Sequence, residues 1–163
     1  MTPVSNAGPL IALAKVGRIE LLRLVFGRLH IPLAVYDEVA TRGAGKADAA
    51  ELQQATEEWV EKHVVPDEAL VRGLLTKLGA GEAEAIALAV EMDADLLLMD
   101  DNQARTVAEF IGLNVIGTVG VLVEATRRGL IGDLAQTLHE LRAAGVRMSD
   151  SVIEAATRAA HQG

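Results

Sequence analysis

The feature that most constrains the fold of this chain is a helix, a short buried strand and an acidic pair, all within residues 79–105. Every residue from 82 to 91 is Glu, Ala, Ile, Leu or Val, and most of these types favour helix. Residues 96–99 carry no charge and are too few for an independent helix. Because they show no polar alternation, they predict a parallel strand that is covered on both faces. Asp100 and Asp101 then lie at the exit of that strand.

The rest of the 163-residue chain continues this alternation of short apolar segments and longer helical patterns. The predicted strands cover residues 3–6, 29–31, 63–65, 95–99 and 113–116. Helices are predicted between and after them, including 48–62 and 67–78 on either side of the third strand, with a polar stretch at 42–46. Strands that alternate with helices require a parallel sheet with helices on both faces. The length fits a single domain over residues 1–163.

Composition limits the classes of function. The chain has no cysteine, which excludes disulfides and thiolate zinc sites and fits a reducing cytoplasm. The formal net charge of -8 argues against a protein that holds nucleic acid by bulk electrostatics. The longest uncharged segment, 110–123, is interrupted by glycines and too short to span a bilayer, and the amino terminus lacks the pattern of a signal peptide. We therefore expect a soluble cytoplasmic protein without a membrane partner.

Several polar residues follow predicted strands or lie on the helices between them. The carboxyl ends of parallel strands gather at one edge of a sheet, and binding sites lie in the crevice beyond that edge. Mg²⁺ takes oxygen ligands in octahedral geometry, so clustered carboxylates there indicate a metal site that can activate water for phosphodiester hydrolysis. The candidate ligands come from four separated elements and are Asn6, Glu38, Glu84, Asp101 and Asp100.

Helix capping is an alternative explanation for some of these acids. Glu82 and Glu84 lie in the first turn of their helix, where exposed amides and the helix dipole favour acidic side chains. Asp100 would likewise cap the helix that begins near Asn102. Position alone therefore leaves two interpretations open, capping and metal binding.

A resemblance favours the second interpretation. The segments VSNAGPLIALAKVGRIELL, HIPLAVYDEV, GAGEAEAIALA, ADLLLMDD with NQAR, and GLNVIGTVGVL occur in this order over nearly the whole chain. Together they resemble the PIN-domain family, and most closely its small prokaryotic VapC-like branch. The resemblance implies a three-layer α/β/α fold with a mostly parallel five-stranded sheet, bound Mg²⁺ or Mn²⁺, and endoribonuclease activity on RNA. It also implies a toxin held inactive by a small antitoxin protein, and a homodimer.

The resemblance also assigns roles to particular residues. The four positions that match the family's metal-binding and catalytic acids are Asn6, Glu38, Glu84 and Asp101, with Glu82 as the less favoured register for the third. Asp100 and Thr118 match positions that support these ligands, and Arg105, one helical turn after Asp101, is expected to orient that carboxylate.

Asn6 departs from the family pattern, because an acid is expected there. Its amide oxygen can still bind a metal ion or a metal-bound water, but it contributes no charge. The alternative function is therefore a catalytically weakened or inactive PIN-fold module that binds nucleic acid or protein. A phosphotransfer receiver, which shares the doubly wound fold, is disfavoured because Gly117 and Thr118 occupy the place of its lysine.

The histidines give no second signal. None of the four has a spacing typical of metal ligands, and two of them, His30 and His63, fall in predicted strands. They are interpreted as packing residues.

Overall fold

The computed structural model describes residues 1–42, 47–66 and 68–162, so nearly all of the predicted polar stretch at 42–46 lies outside the described residues. The strands are β1 (Pro3–Ser5), β2 (Leu29–Pro32), β3 (Val60–His63), β4 (Leu96–Leu98) and β5 (Val115–Ile116). The first helices are α1 (Ala7–Lys15), α2 (Glu20–Phe26), α3 (Leu33–Arg42), α4 (Ala47–Glu58) and α5 (Glu68–Leu74). The later helices are α6 (Ala80–Glu91), α7 (Asn102–Ile111), α8 (Thr118–Arg127), α9 (Leu134–Ala143) and α10 (Asp150–His161).

The strands form one five-stranded parallel sheet in the order β3-β2-β1-β4-β5. The chain adds β2 and β3 on one side of the central strand β1, and then β4 and β5 on the other side. The order therefore reverses between β1 and β4. In open α/β sheets such a reversal opens a crevice beyond the carboxyl ends of the two strands.

Both faces of the central strands are covered by helices. Leu97 and Leu98 point to opposite faces because successive side chains of a strand alternate, yet both are fully buried. Helix α6 packs against β1, β2 and β4, and α8 packs against α1, α2, α9 and α10. The predicted three-layer α/β/α architecture is confirmed, with a core built mainly from Ala, Leu, Val and Ile.

The third strand differs from the prediction. It covers Val60–His63 rather than 63–65, and α4 ends at Glu58 instead of continuing to residue 62. Glu61 and Lys62 have low strand propensity, but tertiary pairing overrides it because β3 pairs with β2 along its whole length. Charged residues are ordinary on an edge strand, where they discourage pairing with another chain.

Most other element boundaries agree with the sequence signals. Ser149, a predicted cap, accepts a hydrogen bond from the backbone N–H of Val152 at 3.2 Å at the start of α10. Helix α5 is shorter than the predicted 67–78 and β5 is shorter than 113–116. Leu138 and Leu141 of α9 and Ile153 and Ala156 of α10 are buried in the core, whereas Val152 is 40% exposed.

Candidate active site

Asn6 follows β1 at the centre of the sheet and lies at the point where the strand order reverses. Its backbone N–H donates to the carbonyl oxygen of Leu98 in β4 at 2.9 Å, which joins the exits of the two central strands. The side chain is 7% exposed and makes no capping bond to α1. Among the described residues, its Oδ1 is the one buried side-chain oxygen or nitrogen without a hydrogen-bond partner. Leaving a buried hydrogen-bond acceptor unpaired costs about 1–3 kcal/mol of folding free energy. A bound cation or a metal-bound water would remove that cost, which makes this oxygen a candidate ligand atom.

Glu38 brings a carboxylate to the same place. It is half-buried on α3 between Val35 and Val39, whereas the neighbouring Asp37 is exposed. A Cβ atom built on Gly81 would lie 3.3 Å from Glu38 Oε1 and 3.5 Å from Asn6 Oδ1. Both oxygens therefore lie against the first turn of α6, where residue 81 has no side chain to keep them apart.

The two acids of α6 have different surroundings. Glu82 Oε2 accepts a hydrogen bond from the backbone N–H of Gly79 at 3.0 Å, so Glu82 caps the helix. Glu84 is half-buried and lies one turn after Gly81 on the same side of the helix. Helical side chains lean toward the N-terminus. Glu84 is therefore on the side of α6 that carries the Asn6 and Glu38 oxygens.

Asp100 is fixed at the exit of β4. Its Oδ1 accepts a hydrogen bond from Thr118 N at 2.7 Å, and its Oδ2 accepts one from Thr118 Oγ1 at 2.6 Å. A Cβ atom on Gly8 would lie 3.3 Å from Oδ2, and one on Gly117 would lie 2.8 Å from Oδ1. The carboxylate therefore lies between the first turns of α1 and α8, and the buried Thr118 positions it.

Asp101 has a different contact. Its Oδ1 accepts a hydrogen bond from the backbone N–H of Ala104 at 2.9 Å, and the side chain is exposed. The expectation that Asp100 caps α7 is wrong, because Asp101 is the cap. The ligand role of Asp101 stays a prediction.

A cleft of about 600 Å³ opens beside Asp100 and contains basic side chains. Arg105 and Arg147 line it together with Gly117 and Thr118. Nη1 of Arg105 would lie 2.9 Å from a Cβ atom on Gly117, so its guanidinium is near Asp100. Arginine forms paired hydrogen bonds with phosphate, and a positive group beside carboxylates suits a phosphate ester bound next to a metal ion.

The donor set fits a hard divalent cation. Asn6, Glu38, Glu84 and the aspartate pair offer only oxygen atoms, which are the ligands that Mg²⁺ and Mn²⁺ take. Among the described residues, no three of the four carboxylates bring their oxygens within 4.8 Å of one another, so Asn6 and Glu38 are the donors that the structure places together. The unpaired Asn6 oxygen is the most direct structural sign of a missing partner.

Sequence reasoning missed a second group of possible ligands. His30, Glu61 and His63 lie on β2 and β3, and their ligating atoms all lie within 4.8 Å of one another. Side chains two residues apart on one strand project from the same face. The pattern Glu61-Lys62-His63 therefore places a carboxylate and an imidazole on one face, which is the signal that the sequence carries. It was not recognised because residues 48–62 were assigned to a helix.

The fold and the site together define a class of protein. It is a doubly wound α/β protein with oxygen donors at the point where the strand order reverses. A family model described as a PIN domain matches residues 2–162, and the chain belongs to the PIN-domain family. This family has a nuclease fold and generally uses divalent metals. No curated protein matches the chain. The narrower resemblance to the VapC-like branch stays a prediction.

The longest helices in the described part of the chain have 12 residues. No helix there combines the length and apolar character that are needed to cross a bilayer. The helices with apolar faces instead cover the sheet.

Proposed function

We propose that this protein is a metal-dependent endoribonuclease of toxin type that hydrolyses RNA phosphodiesters with Mg²⁺ or Mn²⁺. The observation that carries the proposal is the buried, unpartnered Oδ1 of Asn6 beside the carboxylate of Glu38. The proposed ligands are Asn6, Glu38, Glu84 and one member of the Asp100–Asp101 pair. When bound, the cation lowers the pKa of an attacking water and neutralises charge on the phosphate.

Within the aspartate pair, the family resemblance favours Asp101 as the ligand, whereas the contacts favour Asp100. Asp100 lies between Gly8 and Gly117 at the switch point, and Gly8 follows Asn6 by only two positions. A carboxylate that accepts two hydrogen bonds from Thr118 still has lone pairs for a cation. We therefore assign the ligand role to Asp100 and leave Asp101 as the alternative to be tested.

The remaining polar residues bind and orient the substrate. Arg105 and Arg147 line the cleft beside Asp100 and attract the RNA backbone to an otherwise acidic protein. Thr118 holds the Asp100 carboxylate in one orientation through both its N–H and its hydroxyl. Glu38 and Glu84 approach from two separate helices, so ligand geometry depends on the packing of α3 against α6.

Cleavage of a panel of labelled RNAs in Mn²⁺, in Mg²⁺ and in EDTA tests the proposal. Asp100→Asn and Asp101→Asn are compared with Asp133→Asn, because Asp133 caps α9 by accepting a bond from Gln136 N at 3.0 Å, just as Asp101 caps α7. We expect metal-dependent cleavage that is lost in Asp100→Asn and kept in Asp133→Asn. Loss in Asp101→Asn alone would assign the ligand role to Asp101, and cleavage that survives EDTA would refute the metal mechanism.

The neutral Asn6 favours one alternative, a PIN-fold module that binds RNA without cutting it. Asn6→Asp adds a negative charge to the site, so it is expected to tighten Mn²⁺ binding and raise any nuclease activity. Calorimetry with Mn²⁺ measures the first effect and the RNA panel measures the second. A native protein that binds RNA but does not cut it, together with an Asn6→Asp variant that cuts, would establish the alternative.

Two protein partners follow from the VapC-like resemblance, a small antitoxin and a second copy of the chain. A partly apolar groove that includes Leu74, Leu78, Val107 and Phe110 supports the homodimer, and Phe110 is 93% exposed. Light scattering of the native protein and of Phe110→Ser tests it. A dimer that dissociates in the variant is expected, and a native monomer would exclude self-association.

A further inference from the structure

Away from the cleft, two imidazoles and a carboxylate meet on one face of the sheet. His30 in β2 is in register with Glu61 in β3, and His63 follows Glu61 by two residues. The three side chains therefore project from the same face. His30 Nδ1 lies 2.9 Å from His63 Nε2 and 3.8 Å from Glu61 Oε2, while His63 Nε2 lies 3.9 Å from the other oxygen, Glu61 Oε1. With one ligand atom taken from each residue, the three atoms lie within 4.8 Å of one another.

These distances suit a borderline divalent ion such as Zn²⁺. Bonds of about 2.0–2.2 Å from zinc to nitrogen and oxygen place two tetrahedral ligand atoms about 3.3–3.5 Å apart. The observed separations lie on both sides of that range, so small side-chain rotations bring all three atoms into coordination. Two histidines and one glutamate also leave a fourth position for water.

The surroundings of His30 favour the neutral imidazole that coordination requires. Burial, and secondly the neighbouring His63, lower the pKa of His30, which keeps its imidazole neutral near pH 7. When His30 binds through Nδ1 and His63 through Nε2, each ring keeps its proton on the other nitrogen. Without an ion, one of the two facing nitrogens must instead donate a hydrogen bond to the other.

The cluster is open to solvent on one side. The side chain of His30 is 13% exposed, that of His63 is 23% exposed and that of Glu61 is 47% exposed. An ion can therefore enter past Glu61 while the rings are held by the strands. Arg28 Nη1 lies 3.5 Å from Glu61 Oε2 and is the positive group that an entering cation must displace or tolerate.

We propose that His30, Glu61 and His63 form a Zn²⁺ site that fastens the edge strand β3 to β2. This site is separate from the acidic site because it uses imidazole nitrogens and lies on the β2–β3 pair, whereas the acidic donors meet beyond the exits of β1 and β4. Imidazole ligands favour Zn²⁺ over Mg²⁺, and oxygen-only clusters favour Mg²⁺. The proposal does not depend on nuclease activity.

Zn²⁺ calorimetry in the presence of excess Mg²⁺ tests this site, with Glu38→Gln as a background that weakens the acidic site. Glu61→Gln and His63→Gln are compared with His161→Gln, which changes an exposed histidine on α10. We expect one Zn²⁺ per chain, with affinity reduced about 10- to 100-fold or more in Glu61→Gln and His63→Gln. His161→Gln is expected to bind as the parent does.

Co²⁺ gives a second readout that does not rely on affinity. The visible absorption of Co²⁺ bound by two histidines and a carboxylate is expected in the parent and in His161→Gln, and to be absent in Glu61→Gln. Circular dichroism of each variant shows whether it is folded. Glu61→Gln is the variant least able to disturb the fold, because Glu61 is exposed. Zn²⁺ affinity that is equal in all variants, or no Zn²⁺ binding by the folded parent, would overturn the site and leave a neutral hydrogen-bonded histidine pair.

Discussion

The acidic cluster beyond β1 and β4 and the histidine cluster on β2 and β3 differ in donors and in how they are assembled. The first is proposed to use residues far apart in the chain, namely Asn6, Glu38, Glu84 and Asp100, of which Asn6 and Glu38 both lie against Gly81. The second needs only two adjacent strands, whose pairing places His30, Glu61 and His63 on one face. The hard oxygen donors suit Mg²⁺ or Mn²⁺, and the imidazoles suit Zn²⁺.

The two sites therefore depend on different packing contacts. The acidic donors move relative to one another whenever α3, α6 or β4 shifts, since each element supplies a single oxygen group. The histidine cluster stays together as long as β2 and β3 remain paired. Substitutions can therefore separate the two sites, in order of decreasing expected effect.

The largest effect is expected from removing one carboxylate at each site. Glu38→Gln should reduce Mg²⁺-dependent RNA cleavage by about 100-fold or more, because metal ligation stabilises transition-state charge by several kcal/mol. Glu61→Gln should leave that cleavage within about twofold, since Glu61 lies on the β2–β3 pair. Initial rates on one labelled RNA measure both. Equal losses in the two variants would mean that the clusters are not independent.

Filling the space beside Asp100 should have the next largest effect. A Cβ atom on Gly117 would lie 2.8 Å from Asp100 Oδ1, so Gly117→Ala must displace that carboxylate. Misplacement by about 1 Å can cost a catalytic site up to about 100-fold, and we expect a loss of 10- to 100-fold.

Gly132→Ala is the matched control for this substitution. A Cβ atom there would meet nothing within 4 Å, and the activity and thermal midpoint should stay close to those of the parent. Full activity in Gly117→Ala would show that the position of Asp100 does not matter for the reaction.

A smaller effect is expected from the hydroxyl that holds Asp100. Thr118→Val removes the Oγ1 donor but keeps the backbone bond, so unfolding free energy should fall by about 1 kcal/mol and cleavage a few fold. Thr137→Val is the control, because Thr137 is equally buried and donates to Asp133 O at 3.1 Å away from the site. Urea unfolding should show similar losses, and cleavage should fall only in Thr118→Val. If the cleavage activity falls in Thr137→Val as well as in Thr118→Val, the role of Thr118 is limited to stability.

The smallest effect should come from the charge next to the histidine cluster. Arg28 contacts Glu61 at the surface, and a unit charge about 4 Å away contributes roughly 1 kcal/mol in water. Arg28→Gln should therefore tighten Zn²⁺ binding about fivefold at low salt, and by less as salt screens the charge. Zn²⁺ titrations at two salt concentrations measure the change. Weaker binding in Arg28→Gln would contradict a cation site beside Glu61.

Local sequence signals pointed to the acidic residues but not to the histidine cluster. Glu38 and Glu84 were identified because acids at strand exits and early helical positions are visible in the sequence, and the resemblance gave them a common purpose. The resemblance assigned the ligand role to Asp101 and a supporting role to Asp100, whereas local signals alone do not separate two adjacent acids. Only the contact of Asp100 with Thr118, eighteen positions further along, distinguished them.

The histidine cluster escaped prediction through a boundary error. Residues 60–62 were assigned to a helix because the amphipathic pattern that begins at residue 48, with Trp59 and Val60 on its apolar side, continues into them. The face shared by Glu61 and His63 becomes visible only when both residues belong to one strand. Pairing of Leu29 with Val60 and of Pro32 with His63 sets that strand, and these contacts are not local in sequence.

The sequence by itself determined the fold class, because uncharged strands between amphipathic helices leave a parallel sheet as the way to bury their apolar faces. It also predicted that Asn6 and Asp100 come after two strands whose ends share one sheet edge, and they come after β1 and β4. The positions of the side-chain atoms depend on tertiary packing: Asn6 Oδ1 and Glu38 Oε1 both lie against Gly81, which has no side chain, and His30 contacts His63 because β3 pairs with β2. The physical reason is that local propensity fixes the elements, whereas close packing between distant elements fixes the distances between their side chains.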